Sequence, residues 1–380
     1  MSKTVLPTGK PTVKPGRWRA RLRWLHRWLG LGLGLLFALI GLSGSFLALQ
    51  PELLRLQHPD WPSVVASNEA LATALERITH SAVANEITAI DLPTERLPVW
   101  QAYTAQDRRH YFDAQRGEWL LTRDVRSDWL LWVRDLHTHL MAGVVGEQVL
   151  GVAGLCLLLL LGSGLYLWWP RWRSFGASLR WHRRPVVLRW LSWHRSSGAV
   201  LFAGLFVLSL TGVAMIYGAP VRASLRWMAG EGTELVVPAP LPRRNAELPW
   251  QAILRAAQAA MPEAELRRIA LPRADNAWVV IRARQPEEWH PNGRSMLWID
   301  PYTARVAKTH DATMQGWGSR LDEALYPIHG GFVGGAIWLG CVLALGIVPA
   351  FLLVTGVMLW WTKRRHRDVR NPDLSVHRPR

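Results

Sequence analysis

The chain has 380 residues, nearly half of them apolar, two cysteines and a formal charge of +17. Its apolar residues are clumped into four runs, 28–49, 149–169, 198–217 and 334–361. Each run reaches the roughly 20 residues that cross a bilayer core, which excludes a soluble globular protein. The charge is clumped too: segments 1–27, 171–195 and 363–380 together carry +20 and the rest −3, the one-sided pattern of the positive-inside rule rather than of a nucleic-acid binder.

These features predict a polytopic α-helical membrane protein whose termini and middle loop are cytoplasmic and whose two long intervening segments lie outside. Residues 1–23 are basic, contain proline and lack apolar periodicity, which predicts a disordered tail. The next run is too long for a signal peptide and ends Phe46-Leu47-Ala48-Leu49-Gln50 without a small-x-small cleavage pattern, so 24–49 is an uncleaved first span. Segment 50–134 reads as a small α+β module: a helix from Glu69 to His80, then strands from Glu86 to Leu92, Val99 to Thr104, Arg109 to Phe112 and Glu118 to Thr122.

The second span is predicted at 135–170 with His137 at its mouth. His137 precedes Val149 by 12 residues, so one continuous helix would lift it about 18 Å above the apolar run. A basic loop, 171–190, leads to a third span at 191–218. The second module, 219–326, repeats the order of the first, with a helix from Leu248 to Ala260 and strands from Leu266 to Leu271, Ala277 to Ala283, Met296 to Ile299 and Arg305 to Lys308. The fourth span is 327–361 and a basic tail, 362–380, follows. Cys156 and Cys341 both fall inside apolar runs, where neither is placed for a disulfide or an iron–sulfur cluster.

The spans repeat. His137, Gly143, Gly154, Ser163-Gly164 and Leu167-Trp168-Trp169 match His329, Gly335, Gly346, Thr355-Gly356 and Leu359-Trp360-Trp361 offset for offset. Spans one and three each show His-Arg (His26-Arg27, His194-Arg195), glycine four residues on (Gly30, Gly198) and Ser/Thr-Gly at +17 and +18 (Ser43-Gly44, Thr211-Gly212). At 100° per residue, +4 and +18 return to the histidine's face. The predicted architecture is two tandem copies of helix, outer module, helix, the second module carrying an insertion of 24 residues placed at 236–248 and 286–293.

Four histidines thereby occupy equivalent places. Alternating spans put His26 and His194 on the cytoplasmic side and His137 and His329 on the outer side. Two imidazoles across a small-residue cleft are the full axial complement of a six-coordinate haem, whereas a zinc or copper site of four ligands would be undersupplied. Gly30 and Gly198 leave room for a flat macrocycle, and Arg27 and Arg195 offer charge-assisted contacts to its propionates. All four histidines are expected at helix amino termini, whose partial positive charge suits the same groups. The expected cofactors are two non-covalent, bis-histidine haems b. His139 points away from the face of His137 and reads as a neighbour. His58, His80, His110, His182, His290, His310, His366 and His377 have no repeated partner and are expected at the surface, while Tyr302, Trp289, Trp298 and Trp317 read as packing residues.

His26-Arg27-Trp28-Leu29-Gly30, Leu136-His137-Thr138-His139-Leu140 and Ser163-Gly164-Leu165-Tyr166-Leu167-Trp168-Trp169-Pro170-Arg171, with the paired modules, resemble the PepSY-associated transmembrane helix family over residues 24–363. The four-span, two-module form is similar to inner-membrane ferric-siderophore reductases of Gram-negative bacteria. That resemblance implies two haems b and reduction of a ferric siderophore in the periplasm, releasing Fe(II) for uptake. No G-x-G-x-x-G or Walker motif is present, so the electron donor is expected to be a membrane quinol or a partner protein. Electrons are expected to enter at the His26/His194 pair and leave by the His137/His329 pair. Two other readings stay open: a membrane-anchored sensor or binder of a periplasmic ligand without redox activity, and a quinol-linked cytochrome b with another acceptor.

Overall fold

The computed structural model describes residues 16–61, 68–232, 235–244 and 246–370. Along the chain, α1 (Arg17–Ala48) and α2 (Gln50–Gln57) precede α3 (Asn68–Thr79) and the strands β1 (Ile87–Asp91), β2 (Val99–Thr104), β3 (Arg109–Asp113) and β4 (Trp119–Arg123). Then come α4 (Trp129–His139), α5 (Gly143–Trp168), α6 (Phe175–Ser178), α7 (Val186–Val200), α8 (Phe202–Ile216) and α9 (Gly218–Met228). Next along the chain are α10 (Trp250–Ala260), β5 (Glu265–Ala270), β6 (Val279–Arg284), β7 (Ser295–Ile299), β8 (Val306–His310) and α11 (Trp317–Gly330), and α12 (Gly335–Arg370) follows.

Three helices, α1, α5 and α12, are long and apolar enough to cross a membrane, and α7 with α8 makes a fourth if that pair, bent by 62°, is one span. The predicted third span is therefore not one straight helix. Its break follows Ser196-Ser197-Gly198, a composition at which helices kink. The predicted tail is also shorter: α1 begins at Arg17, because 17–23 contains only Arg, Trp, Ala and Leu, none of them helix breakers. Residues 1–15 and 371–380 lie outside the described residues.

The predicted continuous helices 135–170 and 327–361 are each two helices. α4 ends at His139 and the chain turns through Leu140 and Met141, both left-handed at φ 49° and 59°, before α5 starts. α11 ends at Gly330 with Gly331 at φ 83°, a conformation that costs glycine nothing. His137 and His329 consequently sit at the carboxyl ends of short helices. His26 lies well inside α1 and His194 in the middle of α7, so none of the four is at a helix amino terminus.

The eight predicted strands are present, but as one sheet of order β4-β3-β2-β1-β5-β6-β7-β8 rather than two separate modules. The seam is the antiparallel pairing of β1 with β5, which sets Ile90 opposite Ile269. α3 packs on α10, and Trp250 Nε1 donates to Thr79 Oγ1 at 3.1 Å. One apolar core runs beneath both halves, with Leu75, Ile78, Ile90, Trp100, Ile253, Ile269 and Ile281 all fully buried. The loop joining β6 to β7, 285–294, is longer than its counterpart 105–108, and no regular element occupies 235–244, the neighbourhoods predicted for the inserted residues.

The chain divides into two compact units. One comprises Met1–Ala38, Cys156–Phe206 and Pro349–Arg380, and holds His26 and His194. The other comprises Leu39–Leu155 and Val207–Val348, and holds the sheet, His137 and His329.

Ile90 tests the seam. Ile90→Ala is expected to lower stability by about 2–5 kcal/mol and to raise hydrogen exchange in β5 and β6 as well as in β1 and β2. Unchanged exchange across residues 265–284 would show that the two halves do not share a core.

Candidate functional site

The histidines come together in pairs, one pair in each unit. The ring centroids of His26 and His194 are 6.3 Å apart, with the ring planes at 87°. Those of His137 and His329 are 6.2 Å apart at 50°. Two imidazoles on one metal atom need about 2 Å per metal–nitrogen bond and roughly 1 Å more from each nitrogen to its ring centre, about 6 Å in all. Both pairs have that spacing.

Each ring is held by the same device. His137 Nδ1 lies 3.0 Å from Ser43 Oγ and 3.0 Å from the Ile40 carbonyl. His329 Nδ1 is 3.1 Å from Thr211 Oγ1 and 3.0 Å from the Leu208 carbonyl. His194 Nδ1 is 3.1 Å from both Thr355 Oγ1 and the Leu352 carbonyl, and His26 Nδ1 is 2.9 Å from Ser163 Oγ and bonded to the Leu160 carbonyl. A carbonyl only accepts, so Nδ1 carries the proton and Nε2 keeps its lone pair free. Each hydroxyl donates to a carbonyl of its own helix, as Ser43 does to Ile40 at 3.0 Å, leaving an oxygen lone pair for the imidazole N–H.

The glycine after each hydroxyl residue makes the contact possible. A Cβ on Gly44 would meet His137 Cε1 at 3.0 Å, one on Gly164 would meet His26 Cε1 at 3.0 Å, and one on Gly212 would meet His329 Cε1 at 3.1 Å. Gly356 is looser, at 3.5 Å from His194 Cε1. The Ser/Thr-Gly step thus serves the histidine of a different element: Ser43 holds His137, not His26 of its own helix. Offset matching detects the motif; only tertiary contact reveals which ring it holds.

Around His26 and His194 lies a cavity of about 1540 Å³, also lined by Arg27, Arg195, Gly30 and Gly198. It exceeds the roughly 300–1,000 Å³ of ordinary small-molecule pockets. Gly30 and Gly198 each face a single leucine methyl 3.9 Å from where a Cβ would be, so the space beside them is open. Arg195 Nε is buried without a hydrogen-bond partner, and Arg27 is exposed. All six predicted site residues of this unit therefore line one space with room for a flat group bearing carboxylates. The residues present fit a bis-histidine haem. Among the described residues no group of three or more His, Cys, Asp and Glu gathers, so each pair remains a two-nitrogen set.

The His137/His329 pair is not carried on extensions of the apolar helices, as predicted, but on separate helices. His137 contacts Ser43 and Gly44, residues of the first apolar run, because the turn at 140–142 folds α4 back instead of continuing the helix. His139 pairs with Asp135 at 3.2 Å, apart from the site. Two of the histidines expected at the surface are buried, His110 at 2 % and His290 at 8 % exposure. His110 Nδ1 meets Thr122 Oγ1 at 2.7 Å across the β3–β4 pair, a partner that no local pattern signals.

Carboxylates fix the helices that carry the outer histidines. Asp128 caps α4, accepting from Leu131 N–H at 2.9 Å, and holds Arg123, whose side chain is 3 % exposed. Burial alone would raise the Asp128 carboxyl, but Arg123 and the Leu131 N–H outweigh it and hold it below the usual range. Glu231 does the same for α11, accepting from Gly318 N–H at 2.7 Å and from the Ser319 N–H and hydroxyl.

The chain matches the PepSY-associated TM region over residues 23–363. Among curated proteins none matches it.

Asp128→Ala is expected to cost about 3–5 kcal/mol, because it strands a buried guanidinium, rather than the ~1 kcal/mol of a lost cap alone. Arg123→Leu/Asp128→Ala should recover most of that loss; equal urea midpoints for the single and double variants would refute the assignment. With a depressed folded-state value, the Asp128 contribution is present above the unfolded carboxylate range and lost as pH falls through the folded one, so acid should shift wild-type midpoints more than those of the double variant.

Proposed function

This chain belongs to the PepSY-associated transmembrane family, and from that premise we propose that it is an inner-membrane oxidoreductase holding two b-type haems. His26 with His194 and His137 with His329 are the axial ligands in this reading. Its substrate is a ferric chelate of the siderophore kind in the periplasm, reduced by one electron to Fe(II). A quinol supplies two electrons and releases two protons, so one quinol, or an equivalent partner protein, serves two ferric ions. The bound haems supply one-electron carriage.

The observation that carries the reading is the paired spacing, 6.3 and 6.2 Å, with every Nδ1 already engaged and every Nε2 left as a free donor. Four imidazoles held by the same device and arranged two by two support one shared purpose. The chain's own residues do the rest. Ser43, Ser163, Thr211 and Thr355 orient the rings, the adjoining glycines admit them, and Arg27 and Arg195 meet carboxylates at the basic face. The one-sided charge supports four spans, with α7 and α8 as one bent span and both termini cytoplasmic. The opposition of Ile90 and Ile269 supports a tandem duplication, since each occupies the same place in its own half.

A pyridine-haemochrome assay on purified protein is expected to give about two haems per chain, falling to about one in His137→Ala/His329→Ala and in His26→Ala/His194→Ala. Gly44→Val and Gly164→Val should each lose the haem of one pair, whereas Gly356→Ala, with its looser contact, retains both. A colourless wild-type protein would sink the proposal and leave an anchored binding protein.

A further inference from the structure

One face of the sheet carries the apolar core that both halves share, and the opposite face is apolar where Val99 and Tyr111 pack with Leu54, Trp61 and Leu130. α3 and α10 cover the face built by Ile90, Ile269 and Ile281. The strand register places Gln101, Asp91, Arg268 and Arg282 in one row across the opposite face, with Tyr103 and Arg109 in the row beside it. That face is covered as well: Arg109 is 7 % and Gln101 6 % exposed, and Arg268 and Arg282 are half-buried.

Two guanidiniums flank the Tyr103 ring, Arg268 at 4.6 Å and Arg109 at 5.3 Å from its centroid. Arg268 has a counter-ion, since Asp91 Oδ2 accepts from it at 2.8 Å and from the Tyr103 hydroxyl at 2.7 Å. Arg109, Arg134, Arg282 and Arg294 have none: among the described residues no carboxylate lies within ion-pair distance of them. Arg294 Nε is buried without any hydrogen-bond partner.

The nearby acids are already committed. Glu288 spends its oxygens on the Arg294 N–H, the Ser295 N–H and the Ser295 hydroxyl. Burial pushes the Glu323 carboxyl up to about 7, so it supplies only part of a charge at neutral pH. His290 adds no negative charge either; its ring lies 5.3 Å from that of Tyr326, which is 42 % exposed. Burial lowers Arg134 and Arg282, and Arg109 and Arg294 respectively lower them further, the mark of cations crowded together. Buried like charges without partners oppose folding, and a fold keeps them where an anion arrives to complete them.

We propose that Arg109, Arg134, Arg282 and Arg294 form a binding site for a multiply charged carboxylate anion, and that this anion is the ferric chelate of the function proposed above, on which the assignment rests. Arginine forks suit carboxylate oxygens, and the Tyr326 and His290 rings give the site an aromatic wall. The carboxylates of a haem held at His137 and His329 are the other source of the same chemistry.

Metal-free citrate is the probe, titrated calorimetrically into the full chain in detergent at fixed ionic strength. Saturable binding is expected, weakened about tenfold or more in Arg282→Gln and in Arg109→Gln. Arg282→Lys, which keeps the charge and controls for folding, should bind between the two. Arg273→Gln should bind as wild type, because Arg273 is 67 % exposed and lies in a loop against Asp275. Equal binding with and without His137→Ala/His329→Ala assigns the site to a free anion. Binding that appears only in that double variant assigns it to a resident group's carboxylates and overturns the substrate assignment. Absence of saturable binding in both proteins, or full binding by Arg282→Gln and Arg109→Gln, overturns the site itself. Citrate carries no iron and the titration no electrons, so this outcome is independent of the haem assay.

Discussion

Four imidazole N–H groups buried among apolar helices have to be satisfied, and the way they are satisfied dictates the arrangement of the elements around them. Each donates into a notch made by a hydroxyl residue, the carbonyl three residues before it, and a glycine just after it. The notch needs all three parts. Without the hydroxyl the N–H shares a carbonyl already used by the helix; without the glycine the ring edge meets a Cβ at about 3 Å. Because Nδ1 is occupied, each Nε2 is left with a free lone pair, and the pairing of rings at 6.3 and 6.2 Å turns four hydrogen-bonded side chains into two donor sets. That a metal atom needs about this separation between two imidazoles is a property of bond lengths, not of any particular fold.

The sheet obeys a different constraint. Four strands with a helix on one face would leave β1 as an exposed edge, a template for unwanted pairing. Joining β1 to β5 removes both inner edges at once. It sets Ile90 against Ile269, and it lets α3 and α10 cover a single core instead of two small ones. On the opposite face, beside the apolar patch of Val99 and Tyr111, lie arginines contributed by both halves of the sheet, Arg109 on β3 and Arg268 and Arg282 on β5 and β6.

Charge does two different things in this chain. Its excess of +20 lies in three short segments that flank the apolar runs, the one-sided pattern from which the cytoplasmic side is proposed. The remaining residues are nearly neutral in sum, yet among them are buried and half-buried cations with no carboxylate within ion-pair distance. Arg109, Arg282 and Arg294 are distinguished by burial and by the absence of an acid in reach, neither of which a tally of charged residues detects. Arg123 shows the contrast: buried at 3 % exposure, it has Asp128, the residue that caps α4.

The apolar runs and the eight strands were legible in the chain itself, because hydrophobic run length and period-two alternation are local signals. So were the four histidines and the Ser/Thr-Gly steps, since copies at matched offsets expose one another. Three things were not. Leu140 and Met141 adopt left-handed backbone that nothing in their side chains announces, so the helices ending at His137 and His329 looked continuous with the spans that follow. The β1–β5 seam pairs residues 179 apart in the chain, Ile90 and Ile269, and strand alternation alone names no partner. Offset matching tied Ser43 and Thr211 to the histidine 17 residues before each, which hid their service to rings on other elements. Sequence determined where the apolar runs lie and which residues recur at matched offsets, because those patterns are local; tertiary contact decided which imidazole meets which, because hydrogen bonding between elements depends on separations that no local pattern encodes.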